Sequence, residues 1–317
     1  MKRWITASTF KENTKHIDMK IIFFNHYHKG DLFTCKKFVQ QIKDCLPENE
    51  YEYWHFNHPK TVLDVDVPLT NTPHQLKDKV RFYKDGDVVA VNTWIGAWEE
   101  IFAKYDGANM KSIYFSWKEI FKFFSLELDD RIENYIPEVN YNVFNISHIN
   151  EYVKDNKKKK ILVCNGIPMS NQSFSDDMGT IINLFASDNP QVDFICTKKV
   201  KTNLSNVLNT DDIIKDTEIF SGYKPFWNDR ALNTCDLNEI SYLSTFCDAV
   251  VGKNSGPFTF CSTKNNLFDP KKIFMWFSHN DTENLIYGTN ASCKYKQSTD
   301  YSEKNIINNF EWVLTEL

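Results

Sequence analysis

The chain has 317 residues, of which 42% are hydrophobic and 25% are charged, and its formal net charge is −5. These values are typical of globular proteins and exclude a largely disordered chain, and the length suffices for two domains of ordinary size. A net acidic chain also lacks the basic surface that general nucleic-acid binding requires, so we expect no nucleic-acid partner.

The cysteines and the hydropathy pattern bear on the compartment. Eight cysteines occur, none in a Cys-x-x-Cys spacing, and several lie in apolar runs such as Ile161–Cys164. Cysteine in such runs behaves as a small buried hydrophobe, so we expect reduced thiols with no disulfide framework and no metal site. The N-terminus lacks the apolar stretch of a signal peptide, and no window approaches the ~18 apolar residues of a membrane span. The sequence predicts a cytoplasmic protein and leaves contact with the inner face of a membrane open.

The first half alternates apolar runs of strand length with helical patterns. After a polar extension at 1–18, the sequence predicts strands at 19–25, 50–57 and 87–94 and helices at 32–46 and 97–105. The helix at 32–46 has the clearest pattern, because its apolar residues recur at steps of three and four. Residues 58–85 are irregular, and 112–128 are strongly apolar and aromatic.

A stretch rich in Asn and charge, at 145–160, separates the two halves. We place a domain boundary there, with one domain at 19–155 and the other at 156–317, and interpret the four lysines at 157–160 as a solvated face. In the second half, the sequence predicts strands at 161–166, 192–197, 211–216, 249–252 and 272–278, and helices at 176–188, 236–248, from 258, and at 303–317.

Short apolar strands that alternate with helices predict parallel sheets that are covered on both faces. The fold class is therefore α/β, with two doubly wound, Rossmann-like domains that face each other across a cleft. No Gly-x-Gly-x-x-Gly fingerprint occurs in the chain, which argues against a dinucleotide-dependent enzyme.

The loop between the first strand and the first helix, NHYHKGDLF (25–33), is the first candidate site. Gly30 permits close approach of a ligand. Asp31 fits two roles: an N-cap of the helix, or a carboxylate at a strand end that accepts a proton from an attacking hydroxyl. His26 and His28 flank this position without a third metal ligand nearby in the sequence.

The second candidate is the loop VVGKNSGPF (250–258), again between a strand and a helix. It offers a lysine, two polar side chains and backbone N–H groups at a helix start, which suits an anion such as a diphosphate. The residues concerned are Lys253, Asn254, Ser255, Gly256 and Pro257. A simple helix cap by Ser255 or Asn254 is the alternative.

Three further strand ends carry polar or aromatic residues. The segment VNTWIGAW (91–98) places Trp94 where it could stack on a sugar or base, with core packing as the alternative. The loop from Asn165 and Gly166 to 177 could hydrogen-bond phosphate or sugar hydroxyls. The turn TKKVKTN (197–203) carries Lys198, Lys199 and Lys201, which could neutralise a phosphate or form a solvated basic turn.

Two of these stretches resemble a known family. The strand followed by KGDLF and an apolar helix, and the later DLNEISYLSTFCDAVVGKNSGPF, resemble the heptosyltransferase-like glycosyltransferases of family 9. The two stretches span 19–262 in the family's order. The chain departs from the pattern at Asn254, where Asp is usual, and at Thr259, where His is common.

The resemblance implies a GT-B architecture and transfer of a sugar from a nucleotide-diphosphate sugar to a glycan or lipid-linked acceptor, without a metal or other cofactor. It implies Asp31 as general base and residues 254–257 as part of the donor loop, and we add Lys253, Asn165, Gly166 and Lys198 to the donor site. His26, His28, Gly30 and Trp94 are predicted to bind the acceptor. The last helix is a candidate to pack back on the N-terminal domain.

Two alternatives keep the same fold. The first is a catalytically silent protein that binds nucleotide sugars or glycans, which the departures at Asn254 and Thr259 favour. The second is an epimerase that acts on a nucleotide sugar and needs no acceptor.

Overall fold

A computed structural model describes residues 19–26, 29–55, 67, 69–70, 80–144, 146–166, 178–214, 237–280, 282 and 284–317. The predicted extension at 1–18 and the predicted acceptor residue His28 lie outside these residues. The chain divides into two compact units, here called unit 1 (Met1–Pro137 with Tyr287–Thr289) and unit 2 (Glu138–Ile286 with Asn290–Leu317).

This division lies closer to the N-terminus than the boundary predicted in the stretch 145–160. The helix Ser147–Asp155 and the turn after it are bound to unit 2 by hydrogen bonds. The Tyr152 hydroxyl and the Asn156 amide donate to Oδ2 of Asp193, at 2.9 and 2.6 Å, respectively. The Asn and charge content of this stretch therefore reflects a hydrogen-bonded surface helix within unit 2.

Unit 1 contains a five-stranded sheet in the order β3-β2-β1-β5-β4. Its strands are β1 (Lys20–Asn25), β2 (Glu50–His55), β3 (Leu69–Thr70), β4 (Phe82–Asp85) and β5 (Val88–Asn92). The pairs along β3-β2-β1-β5 are parallel, and β4 forms an antiparallel hairpin with β5 through a turn with Gly86 at φ +60°. The predicted strands at 19–25, 50–57 and 87–94 are thereby confirmed.

The helices of unit 1 are α1 (Lys29–Cys45), α2 (Glu99–Lys104) and α3 (Met110–Phe123), with 3-10 turns at Ile95–Trp98 and Ile132–Tyr135. Helix α1 begins three residues before the first apolar residue of the pattern that predicted it. Helix α3 begins at a capping box, in which Asn109 and Ser112 exchange side-chain and backbone hydrogen bonds. Its Trp117 stacks on Phe38 of α1 at 5.1 Å, which attaches α3 to the helix that precedes β2.

Unit 2 contains a six-stranded parallel sheet in the order β11-β10-β9-β6-β7-β8. Its strands are β6 (Lys159–Cys164), β7 (Val192–Cys196), β8 (Val207–Asn209), β9 (Ala249–Lys253), β10 (Ile273–Phe277) and β11 (Lys294–Ser298). Counted within the unit, this is the order 3-2-1-4-5-6 of a Rossmann sheet. The predicted α/β class with Rossmann-like parallel sheets is confirmed for this unit, whereas the cleft between two domains stays a prediction.

The helices of unit 2 are α4 (Ser147–Asp155), α5 (Gly179–Asp188), α6 (Thr210–Ile213), α7 (Leu237–Thr245), α8 (Gly256–Cys261), α9 (Lys264–Leu267) and α10 (Glu303–Glu316), with a 3-10 turn at Tyr141–Val143. The predicted strand at 211–216 is wrong, because Asn209 caps a short helix there by accepting from the Asp211 amide. The strand in this region, β8, lies just before that helix.

The core of unit 2 lies between its sheet and the helices α5 and α10. Phe310 of α10 stacks on Phe185 of α5 with ring centroids 5.5 Å apart, and both rings are buried. Ile306 and Val313 of α10 belong to the same cluster of buried residues. The last helix therefore packs on the C-terminal sheet, and this packing accounts for its amphipathic pattern.

The lysine run at 157–160 is bound to acidic and carbonyl groups at the amino end of the unit 2 sheet. Lys158 lies 3.2 Å from a carboxylate oxygen of Asp193, and Lys159 lies 2.7 Å from one of Asp248. The Lys160 ammonium is buried and donates to the carbonyls of Asn156 and Lys158. The interpretation of this run as a solvated face is wrong for Lys160, which is buried, whereas Lys158 and Lys159 stay exposed while they pair with carboxylates of neighbouring segments.

Strands β6 and β9 approach each other unusually closely at Gly252. Its φ is +137°, and a Cβ atom built there would lie 2.4 Å from the Cys164 carbonyl oxygen. Only glycine accommodates both the backbone angle and this distance. Within the described part of the chain, by contrast, a Cβ built at Gly256 meets no atom within 4 Å.

No helix in the described ranges combines the length and the apolar character that a membrane crossing requires.

We predict that Gly252→Ala lowers the free energy of unfolding by about 3 kcal/mol or more, because backbone strain adds to steric overlap with the Cys164 carbonyl. Urea denaturation followed by circular dichroism measures the change. Gly256→Ala is the matched control, and it should change stability by less than about 1 kcal/mol. Equal stability of Gly252→Ala and the wild type would contradict the close approach.

Candidate functional site

The carboxyl ends of adjacent strands whose connections diverge form the ligand-binding edge in open α/β sheets. In unit 2 these strands are β6 and β9, which pair with Cys164 opposite Gly252. Asn165 follows β6 directly, and Lys253 is the last residue of β9. Every donor-site residue predicted from the sequence lies at this edge, on the segments that follow β6, β7 and β9: Asn165, Gly166, Lys198, Lys253, Asn254, Ser255, Gly256 and Pro257.

Asn165 connects the ends of β6 and β7. Its amide Nδ2 donates to the Lys198 carbonyl at 2.9 Å, and its Oδ1 accepts from the Lys198 backbone N–H at 2.8 Å. The Asn165 side chain is fully buried, and both its amide nitrogen and its amide oxygen are bonded to the backbone of Lys198. It fixes the position of Lys198, which the sequence pattern alone did not indicate.

The loop between β9 and α8 is fixed by a backbone hydrogen bond at its first residue. The next residue has a hydroxyl that forms no hydrogen bond with the described residues. The Asn254 backbone N–H donates to the Phe277 carbonyl of β10 at 3.0 Å. Ser255 has the extended backbone of an N-cap, yet its hydroxyl makes no cap hydrogen bond. Its Oγ is buried and has no hydrogen-bond partner among the described residues. The simple-cap alternative therefore does not describe Ser255, and its hydroxyl remains available to a ligand.

Lys253 precedes this hydroxyl by two residues in the chain, and glycines lie in the same loop and in the loop after β6. Lys253 is fully buried, so water screens its charge less than that of a surface lysine. Pro257 lies in the first turn of α8, as the sequence predicts. A Cβ built at Gly166 or Gly256 meets no described atom within 4 Å, so neither glycine is required for packing. These features suit a compact anion such as a phosphate group.

In unit 1 the corresponding edge lies where β1 and β5 end side by side. Asp31 is the third residue of α1 and is half-buried, so it lies within the first turn of the helix. The role of N-cap is therefore wrong for Asp31, because the helix begins two residues earlier at Lys29. A carboxylate in the first turn is favoured by the helix dipole, and this placement leaves the role of base open.

A buried network that the sequence analysis missed lies at the same edge of the unit 1 sheet. The Tyr53 hydroxyl donates to Thr93 Oγ1 at 3.2 Å, and Thr93 Oγ1 donates to the Phe24 carbonyl at 3.1 Å. The Cys35 thiol donates to the Thr93 carbonyl at 3.6 Å, and the Trp117 indole N–H donates to the Cys35 sulfur at 3.3 Å. This network fixes the strand ends on either side of the start of α1.

Burial keeps the two acidic members of this network neutral. Burial is the main cause that raises the pKa of the Tyr53 hydroxyl and of the Cys35 thiol, and the negative charge of Asp31 raises both pKa values further. Asp31 therefore lies within electrostatic range of both groups. Neither group ionises at neutral pH, so neither adds a negative charge near Asp31.

The predicted acceptor residues of unit 1 have different surroundings. The His26 ring lies with its centroid 4.8 Å from Trp54 and 5.5 Å from Phe24. The Trp94 side chain is half-buried, while its backbone N–H donates to Asn92 Oδ1 at 2.9 Å. Trp98 is the tryptophan of this segment that belongs to the core, since it is 1% exposed and packs edge-on against Trp117. Gly30 lies in α1, where its carbonyl accepts from the Thr34 hydroxyl.

Across the described ranges, no group of three or more His, Cys, Asp or Glu side chains is arranged to hold a metal ion. The cysteines in these ranges are free thiols, and all except Cys45 are buried.

We predict that Asn165→Ala destabilises the protein by about 1–2 kcal/mol, because the partly buried N–H and carbonyl of Lys198 both lose their partner. Hydrogen exchange measured by mass spectrometry should show faster exchange of the Lys198 amide. The exposed Asn142→Ala serves as the control and should leave this amide unchanged. An unchanged exchange rate in Asn165→Ala would contradict the proposed connection between the two strand ends.

No family model matches the chain, and no curated protein matches it by sequence. The family 9 glycosyl transferase from Veillonella parvula DSM 2008 shares 12% identity over 94% of this chain and 98% of its own, with a TM-score of 0.42. The E. coli ADP-heptose LPS heptosyltransferase II shares 12% identity over 94% of this chain and 99% of its own, with a TM-score of 0.42.

The E. coli heptosyltransferase WaaC, solved with ADP-2-deoxy-2-fluoro heptose, shares 7% identity over 94% of this chain and 99% of its own, with a TM-score of 0.45. By their names these three structures come from the family that the two sequence motifs resemble.

Proposed function

We propose that the protein is a glycosyltransferase that moves a sugar from a nucleotide-diphosphate sugar to a hydroxyl group of a glycan or lipid-linked acceptor. The observation that carries the proposal is the edge of unit 2, where buried Lys253 and the unused Ser255 hydroxyl follow the strand next to β6 in a sheet of Rossmann order. Such an edge is where open α/β sheets bind phosphate-containing ligands.

In the proposed reaction, the residues that follow β6 and β9 bind the diphosphate of the donor, and Asp31 is the base. The acceptor oxygen attacks the anomeric carbon of the sugar, and the bond from that carbon to the phosphate oxygen breaks. The electron pair of this bond leaves with the nucleoside diphosphate, while the acceptor proton moves to the Asp31 carboxylate. Lys253 and the hydroxyl of Ser255 stabilise the negative charge that develops on the leaving diphosphate.

The environment of Asp31 supports its role as the base. Its carboxylate lies in the first turn of α1, among buried groups that do not ionise at neutral pH. A base must be ionised before it can accept a proton, and the dipole of α1 favours the ionised form. The acceptor would lie near the half-buried His26 and Trp94, which offer flat surfaces to a sugar ring.

The donor site is tested first by direct binding. We predict that one class of UDP-, GDP-, ADP- or dTDP-sugar binds and raises the melting temperature equally with magnesium and with EDTA, because fixed positive charge replaces the metal. At 100 times the dissociation constant the ligand should add about 2.7 kcal/mol to the free energy of unfolding. Absence of binding by every class would overturn the proposed function.

Ser255→Ala should weaken binding of that nucleotide about tenfold, the equivalent of one hydrogen bond, without lowering the melting temperature of the unliganded protein. Isothermal titration calorimetry measures the affinity. Thr263→Val is the matched control, because it also removes a buried hydroxyl that has no partner among the described residues, at a position before α9. The control should bind the nucleotide with wild-type affinity. If Ser255→Ala binds with wild-type affinity as well, the proposal is contradicted.

Asp31→Asn should lower the rate of sugar transfer by about 10²–10⁴-fold, because the variant cannot accept the acceptor proton, and should leave donor affinity within about twofold. Release of nucleoside diphosphate in the presence of acceptor measures the rate. Asp44→Asn, at the other end of the same helix, is the control and should retain full activity. Retained activity in Asp31→Asn would show that another group is the base.

The same assay distinguishes the two alternatives. A wild-type protein that binds the donor but transfers to no acceptor is a silent binding protein. Isomerised sugar formed without acceptor identifies an epimerase.

A further inference from the structure

The loop after β7, residues 197–204, carries three lysines, and the proposed reaction does not use all of them. Lys198, Lys199 and Lys201 are all exposed. Neither Lys199 nor Lys201 forms an ion pair with any described residue, in contrast to Lys158 and Lys159 at the opposite edge of the sheet. Both follow β7, whose carboxyl end lies at the edge that binds ligands in this fold.

The backbone of this loop is fixed at four points along its length. The Thr197 N–H donates to the Val163 carbonyl at 2.9 Å, and Asn165 holds both backbone groups of Lys198. The Val200 side chain is 7% exposed and belongs to the core cluster of unit 2. The Lys201 carbonyl accepts from the Asn183 amide of α5 at 3.0 Å. The loop is therefore preorganised, and only the lysine side chains must be ordered when a ligand binds.

Thr197 provides an independent sign of a ligand. Its Oγ1 is buried and has no hydrogen-bond partner among the described residues, as is true of the Ser255 hydroxyl. Because β7 and β9 lie on either side of β6, these two hydroxyls are separated by about two strand spacings, or roughly 10 Å. One nucleotide-sized ligand can span that distance.

The charge at this position differs from that of a dinucleotide-binding sheet. In such a sheet an acidic residue after the second strand binds the ribose hydroxyls, and a basic residue takes its place where the ribose carries a phosphate. In unit 2 the second strand is β7, and residues 197–204 contain three lysines and no acidic residue. This composition selects a ligand with negative charge at that end.

We propose that the loop 197–204 binds a second anionic group of the donor, in addition to its diphosphate. The proposal rests on the proposed function of the same edge. The shared chemistry is an anion about 10 Å from the group bound at Ser255. It is either a phosphate on the ribose or a carboxylate on the transferred sugar.

The test uses two pairs of ligands whose members differ in one charged group. UDP-glucose is compared with UDP-glucuronic acid, and ADP with its 2′-phosphorylated form, by isothermal titration calorimetry at constant ionic strength. We expect the more anionic member of one pair to bind at least about tenfold more tightly, as charge-assisted hydrogen bonds to lysine do. The pair that responds identifies the source of the charge.

The double variant Lys199→Gln/Lys201→Gln should abolish this preference and leave the affinity for the less charged member unchanged. The matched control is Lys157→Gln/Lys271→Gln, which removes two exposed lysines that precede β6 and β10 at the opposite edge. The control should keep the preference, and its equal change in net charge excludes a general electrostatic effect.

Equal affinity for both members of each pair would overturn the proposal but leave the donor site intact. A preference that persists in Lys199→Gln/Lys201→Gln would overturn the assignment to this loop. Failure of these four ligands, of inorganic diphosphate and of every nucleotide-sugar class in the donor screen to bind would overturn the proposed function and this inference together. Ser255→Ala separates the two sites, because it should weaken both members of a pair by the same factor.

Discussion

The close approach of β9 to β6 at Gly252 is the constraint on which the ligand-binding edge of unit 2 depends. A side chain there would overlap the Cys164 carbonyl, which lies 2.4 Å from the position of a Cβ atom. The register that follows places Asn165 and Lys253 one residue beyond the paired Cys164 and Gly252. A shift of one residue would turn Lys253 to the other face of the sheet, because side chains alternate along a strand. The glycine therefore sets which polar groups follow the strand ends.

From this pair of strands the site extends outward by hydrogen bonds. The side chain of Asn165 connects the end of β6 by hydrogen bonds to Lys198, which follows β7. The hydrogen bond from the Asn254 N–H connects the end of β9 to Phe277 of β10. Both links are buried or made by backbone groups, so they set the loop positions without using the groups that remain for a ligand. The hydroxyls of Ser255 and Thr197 are the groups left over. A binding edge is preorganised when the groups that hold its loops in place are different from the groups that contact the ligand.

The sequence predicted the buried strands and the loops that follow them, because apolar runs of strand length bounded by Gly or polar residues leave little choice of structure. It did not predict β11, whose sequence KYKQS is polar because the strand lies at the sheet edge and is partly exposed. It also missed β8, which has three residues and is too short to show a period. Helix α6 was taken for a strand because its Asn cap was not recognised.

The candidate site was predictable to the extent that its residues follow strands. The loop after β9 and the first turn of α1 were found in this way, and resemblance to a family supplied their roles. Tyr53, Cys35 and Thr93 were not found, since their contact joins three segments far apart in the sequence. In the sequence, the alternation of Tyr51 and Tyr53 along β2 is the one pattern that points to this network. It indicates that one face of the strand is buried, but it does not indicate which residues the tyrosines contact.

Lysines at the two edges of the unit 2 sheet show how pairing distinguishes a structural charge from one that binds a ligand. At the amino edge, Lys158 and Lys159 lie within 3.2 and 2.7 Å of carboxylates on neighbouring segments, so their charges are already compensated. At the carboxyl edge, Lys199 and Lys201 make no ion pair with a described residue, although their backbone is fixed as firmly. Because the charges of these two lysines form no such pair, they contribute nothing to the stability of the fold. The arrangement is accounted for when a ligand supplies the negative partner of these lysines.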